Sequence, residues 1–158
     1  MIPDFDTIRS EVRGGRYTKL GYGAGRSVYD MNTGYVVKVA KNRFGLRQNR
    51  NESELSLRYH GDLLARVAAV SEGYEMLVMQ TATPLHDMGP VLRYFNIKNL
   101  RRLTAVPELN ALVREHRLVM KEFLGARNWG LINNRPVIID YGFARRRRTR
   151  GRLGVIRF

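Results

Sequence analysis

Four groups of residues have the types and spacing to do chemistry. The run Leu20-Gly21-Tyr22-Gly23-Ala24-Gly25-Arg26-Ser27-Val28-Tyr29 carries glycines at alternate positions. Glycine lets backbone N–H groups approach phosphate oxygens without side-chain obstruction. These glycines lie between two strand-like stretches and do not open a helix, unlike those of a P-loop or a dinucleotide-binding turn. A flexible hairpin turn is the plainer reading of the same residues. Lys38 stands inside YVVKVA, where a lysine must meet a phosphate or a carboxylate or else face solvent from an edge strand. Glu52 and Glu54 follow at the start of a helical stretch. Either could be that carboxylate, or both could be ordinary helix N-terminal acids; Glu52 is the favoured partner. Asn128 and Asp140 are twelve residues apart, with the apolar residues Val137 to Ile139 leading into Asp140-Tyr141-Gly142. An amide oxygen and a carboxylate are hard ligands that suit Mg²⁺, which in turn holds phosphates. A capping Asn and a turn-forming Asp-Tyr-Gly account for the same residues without a metal.

The surrounding elements must bring these groups together. A short lead-in, residues 1–16, carries a helical turn near Phe5 to Val12. Arg16 to Leu20 and Ser27 to Met31 read as strands on either side of the glycines. The Asn32-Thr33-Gly34 turn leads to a buried strand, Tyr35 to Ala40. Asn42 to Gln48 reads as a basic loop and Asn51 to Tyr59 as a helix. Leu63 to Val70 and Tyr74 to Gln80 are strand candidates, and Thr81 to Pro84 is a linker. Pro90 to Leu103 is weakly helical. Pro107 to Lys121 is a stronger helix, with proline in its first turn and one apolar face. A short strand at Asn128 to Gly130, a turn at Asn133-Asn134 and a strand at Pro136 to Asp140 close the pattern. Strands, one helix, more strands, then helices and a late hairpin make an α+β chain with a β-rich part followed by a helical part. A cleft between such parts is a natural ligand site.

The 158 residues point to one domain, and their composition, 44% hydrophobic and 27% charged, is that of an ordinary globular protein. The absence of cysteine excludes a disulfide scaffold, a cysteine nucleophile and a thiolate metal site. The acidic, polar N-terminus lacks the regions of a signal peptide, and no apolar run reaches membrane-spanning length. A cytoplasmic protein with no membrane partner is expected. The net charge is +14. Half of this excess lies in residues 145–158, which hold seven arginines and no acid. Arg145, Arg146, Arg147, Arg148, Arg150 and Arg152 could bind nucleic acid or an acidic partner, or could simply be solvated.

Taken in order, these pieces resemble the protein-kinase-like superfamily over residues 17–144. Leu20 to Tyr29 resembles its glycine-rich loop, Val36 to Ala40 the strand with its phosphate-binding lysine, and Glu52 the helix glutamate. Met76 to Pro84 resembles the hinge, Asn128 the catalytic-loop asparagine, and Asp140-Tyr141-Gly142 the metal-binding Asp-Phe-Gly. The phrasing is most similar to small kinase-like proteins of bacteriophages and bacteria. The resemblance implies a minimal two-lobe fold, with an N-lobe over about 17–80, a C-lobe over about 85–144 and the arginine tail beyond. It implies ATP under Gly21, Gly23 and Gly25 and against Lys38 and Met79, with Mg²⁺ on Asn128 and Asp140.

The chain also departs from that pattern. Arg26 stands where a third loop glycine is usual, and the His-Arg-Asp motif is missing. Phe123 occupies the place of the catalytic aspartate. Glu122 is the one acid near enough to act as base, if the chain bulges at Gly125. The 16 residues after Gly142 leave no room for the segments that hold a peptide substrate. The resemblance therefore implies either a pseudokinase-type binding module or weak phosphotransferase acting on a host or virion protein, or an active kinase with Lys38, Glu52 and Glu122 in the catalytic roles. A basic nucleic-acid-binding protein is a further alternative.

Overall fold

The structure is a computed structural model that describes residues 1–142; the arginine tail singled out above lies outside them. β3, Tyr35–Ala40, is the strand on which the rest is built. Its β-branched run is buried on both faces, as expected of a central strand. Val37 joins Ile8, Met31, Met76 and Val78 in a small core under α1 (Phe5–Arg13). Val36, on the opposite face, joins the main core with Leu55, Leu77, Trp129 and Tyr141. Lys38 shares that second face, because side chains alternate along a strand.

β1 (Thr18–Tyr22), β2 (Arg26–Asp30), β3, β4 (Val67–Val70) and β5 (Met76–Gln80) form an antiparallel sheet in the order β1-β2-β3-β5-β4. Gly23 and Gly25 lie in the β1–β2 turn, Gly21 lies within β1 opposite Val28, and Ser27 pairs with both Tyr22 and Val39. β6 (Thr83–Pro84), β7 (Trp129–Ile132) and β8 (Arg135–Ile138) form a second antiparallel sheet. Leu63 and Ala65 tie the two parts together through backbone bonds to Ile138. Between β6 and β7 lie three short helices: α3 (Gly89–Tyr94), α4 (Leu100–Leu103) and α5 (Pro107–Glu115). The mixed α+β pattern, a sheet-built part and then helices, is the expected one. No described helix is long and apolar enough to cross a membrane.

Three local expectations are corrected. The segment Asn42 to Gln48 is not a loop: α2 runs continuously from Arg43 to Arg58, capped by Asn42, whose side chain accepts from the Gly45 N–H. Its inward face is Gly45, Asn49, Glu52, Ser53 and Ser56 with a single leucine, Leu55, so no apolar stripe marks it. The helix expected to reach Lys121 ends at Glu115. Arg117 adopts a left-handed conformation (φ 57°). The Leu118 N–H then bonds to the Val113 carbonyl, the closing bond of a Schellman turn, and this places Leu118 in the core. Finally, Leu63 to Ala65 is not strand but a connection, and β4 begins at Val67.

Candidate functional site: a cleft built on a buried ionic cluster

The turn between β1 and β2 is anchored at its base. The Lys41 N–H donates to the Gly25 carbonyl at 2.7 Å, and the Asn42 side-chain amide donates to the Ala24 carbonyl at 2.8 Å. A Cβ on Gly45 would stand 2.0 Å from the Gly25 carbonyl oxygen, and one on Gly25 only 2.4 Å from the Gln48 side chain. Those two glycines exist to let the loop lie directly on the start of α2. Gly21 and Gly23 have open space where a side chain would be. Both line a cleft of about 580 Å³, and Gly25 is not among its described lining residues. So the structure separates the three loop glycines expected to act together.

The same cleft brings together Lys38, Met79, Asn128 and Asp140. Lys38 is 5% exposed, which rules out the solvent-facing alternative. Its ammonium donates to both oxygens of Glu52 at 3.0 Å and to the Ile139 carbonyl at 2.6 Å. Glu52 is fully buried, whereas Glu54 pairs with Arg50 one helical turn away on the outside of α2. The choice between the two glutamates thus falls on Glu52.

Arg26 is the participant that sequence reasoning missed. Set down there only as a replaced glycine, it begins β2 and is 6% exposed. Its Nη1 donates to Glu52 at 2.8 Å and to Asn49 at 3.1 Å. Its Nη2 donates to Glu52 at 3.0 Å and to Asp140 at 3.1 Å. The signal that could have found it is its position. Arg26 and Lys38 lie on adjacent strands two pairs apart, Arg26 opposite Ala40 and Lys38 opposite Val28, so both point to one face.

The electrostatics follow from this packing. Burial alone would push the Glu52 carboxyl up, but Arg26 and Lys38 outweigh it and hold the group down to about 2. Burial lowers the Lys38 ammonium below its ordinary range, with Glu52 opposing and Arg26 assisting. Burial raises the Asp140 carboxyl, against Lys38 and Arg26. Tyr141 completes the cluster: its N–H donates to Glu52 at 3.1 Å and its hydroxyl to the Ala65 carbonyl at 2.6 Å. Gly142 is pressed against Gln48, with backbone atoms at 2.7 Å from where a Cβ would be.

Asn128 is positioned from the other side. It ends a 3₁₀ turn, Ala126–Asn128, and its side-chain amide donates to the Glu122 carbonyl. The Ile139 N–H donates to the Asn128 carbonyl at 2.8 Å, which sets the asparagine beside the residues that follow β8 and carry Asp140. Trp129, fully buried, donates from its indole to the Phe123 carbonyl at 2.9 Å. The Phe123 ring is fully buried, and Glu122 is not among the described lining residues of the cleft. The bulge needed to turn Glu122 toward the cleft is therefore not seen. Arg127, which drew no attention in the sequence, does line it.

The remaining walls are apolar, from Leu20, Val28, Val36, Met79 and Ala82. An apolar slot with a charged end suits a flat heterocycle carrying phosphates. A divalent metal fits less well. Asn128 and Asp140 are both present, but Asp140 Oδ1 already accepts from Arg26, and a metal there would stand beside a guanidinium. Among the described residues no three His, Cys, Asp or Glu side chains group to hold a metal by themselves.

No family model matches the chain, and no curated protein matches it. Among solved structures, the crystal structure of the kinase domain of M. tuberculosis PknI is similar, with a TM-score of 0.46 and 21% identity. The match covers 81% of this chain and 59% of that one, so the chain spans about three-fifths of the length of that domain.

Proposed function

We propose that this chain is a nucleotide-binding module of the protein-kinase-like type, with a minimal two-lobe fold, that binds ATP in the cleft and retains little or no phosphoryl transfer. One observation carries the reading. Lys38, Asn128 and Asp140 converge with Gly21 and Gly23 on a single cleft of about 580 Å³; Phe123, which the resemblance sets at the position of a transfer base, is a buried ring. In this reading the apolar walls take the base, Met79 lies against it, and Lys38 with the loop N–H groups takes the phosphates. Phosphoryl transfer is mostly positioning and charge neutralisation, but it still needs a group to orient the acceptor.

ATP at about 100-fold its Kd should stabilise the folded chain by about 2.7 kcal/mol. For a protein of this size that raises the melting temperature by about 5–10 °C. Lys38→Met should remove that shift. It should nonetheless fold, because Arg26 keeps Glu52 paired and Met approximates the lysine stem in volume. No ATP-induced shift in the unsubstituted chain would sink the nucleotide reading. The intact Lys38–Glu52 pair, at 3.0 Å, favours weak phosphotransferase as the second reading. Transfer of labelled γ-phosphate that is lost in Lys38→Met would establish it.

The arginine tail is the proposed contact with a partner, a host or virion protein or a nucleic acid, in the cytoplasm or the virion of a phage-type setting. Truncation after Ala144 removes all seven tail arginines. It should abolish retention on heparin or DNA, and the full chain's binding should weaken steeply with salt. Unchanged retention after truncation would overturn the role of the tail.

A further inference from the structure

The nucleotide reading leaves one buried cation without a task. We propose that Arg26 sets the metal requirement of the cleft: it holds Asp140 in the place of a divalent ion, so that nucleoside triphosphate binds without one. This inference rests on the nucleotide reading above and specifies the form of ligand that the cleft takes.

A guanidinium is a planar fork that loses its freedom when both ends are held. Here Nη1 is held by Glu52 and Asn49, and Nη2 by Glu52 and Asp140. The acceptors are themselves fixed. Glu52 and Asn49 are fully buried on α2, and Asn49's amide is anchored to the Tyr74 carbonyl at 2.8 Å. Arg26's own backbone is held within the sheet, and its carbonyl accepts from the Gly23 N–H at 2.8 Å. To vacate Asp140 the arginine would have to break a two-pronged contact with a buried carboxylate.

Charge leads to the same conclusion. A partly buried carboxylate such as Asp140, whose side chain is 38% exposed, needs a counter-charge. A divalent ion would be one source, and Arg26 already supplies it at 3.1 Å. A metal on the same oxygen would meet at close range a guanidinium that is itself only 6% exposed. Arg127, exposed on the cleft wall, remains to receive the phosphate charge that a metal would otherwise neutralise.

The test is ATP affinity, by calorimetry, in EDTA and in MgCl₂. The unsubstituted chain should bind ATP within about threefold in the two buffers. Arg26→Gln should bind at least tenfold more tightly in MgCl₂ than in EDTA, because Asp140 becomes available to the ion. Arg26→Lys, which keeps a cation there, should stay close to the unsubstituted ratio. A purely structural role would weaken binding equally in both buffers and leave the ratio unchanged, which would overturn the inference. So would an unsubstituted chain that binds ATP at least tenfold more weakly in EDTA, a result that needs no variant to fold. Absence of binding in both buffers would instead overturn the nucleotide reading, and this inference with it.

Discussion

Replacing Glu52 with alanine is expected to destabilise the chain by about 3–5 kcal/mol, the usual cost of orphaning buried charges. One carboxylate serves two buried cations: Lys38 at 3.0 Å and Arg26 at 2.8 and 3.0 Å. It also accepts from the Tyr141 N–H. The arrangement is asymmetric. Removing Lys38 leaves Glu52 with Arg26, but removing Glu52 leaves Lys38 and Arg26 facing each other with Asp140 as the remaining carboxylate. Glu52→Gln preserves shape and should lose most of the same stability, because charge is what the cluster needs. The double change Lys38→Met with Glu52→Gln should recover part of the loss, since one unpaired cation goes with the carboxylate. The melting temperature of Glu52→Ala should fall by about 6–20 °C, with nucleotide binding lost as well. Less than about 1 kcal/mol by denaturant titration would show that water reaches the cluster and that burial has been overstated.

Trp129→Ala should cost a similar amount for a different reason. Truncating a fully buried tryptophan leaves a cavity worth about 3–5 kcal/mol. It also removes the hydrogen bond from the indole N–H to the Phe123 carbonyl at 2.9 Å, adding about 0.5–1.5 kcal/mol. Functionally, the loss should reach Asn128, which directly precedes Trp129 and is held by the Glu122 carbonyl in the same wrapped segment. Trp129→Phe keeps much of the volume and drops the N–H, so its cost should be smaller, about 0.5–1.5 kcal/mol for the lost bond. The midpoints of urea denaturation of the two variants separate cavity from hydrogen bond. Equal losses would mean that the bond, and not the packing, holds the 120–128 segment.

How much of this was legible beforehand depended on whether a residue's environment was written near it in the chain. β3 announced itself by its apolar run, and a lysine within such a run has either an anion or an edge-strand solvent face; its 5% exposure leaves the anion. Asp140 and Asn128 were legible by type, as hard oxygen donors near a strand end and a turn. α2 was half missed because its buried face is polar. Gly45, Asn49 and Glu52 point inward toward charges and a crossing loop, and hydrophobic periodicity cannot register such a face. The early end of α5 depended on Arg117 taking a left-handed conformation normally left to glycine or asparagine, which no residue preference forecasts.

The deepest difference lies in the cluster around Lys38 and Glu52. The chain by itself narrowed Lys38 to an anion or an edge-strand solvent face, and named Glu52 as the favoured carboxylate. Only the tertiary structure decided that Arg26 shares Glu52 and reaches Asp140. Those three residues are separated by 26 and 114 positions along the chain, and the register of β2 against β3 and the seating of α2 bring them within 3.1 Å. Sequence specifies which charges must be neutralised once buried; which partners neutralise them is settled by the packing of distant segments, because Coulomb attraction in a poorly screening interior depends on distance in space and not along the chain.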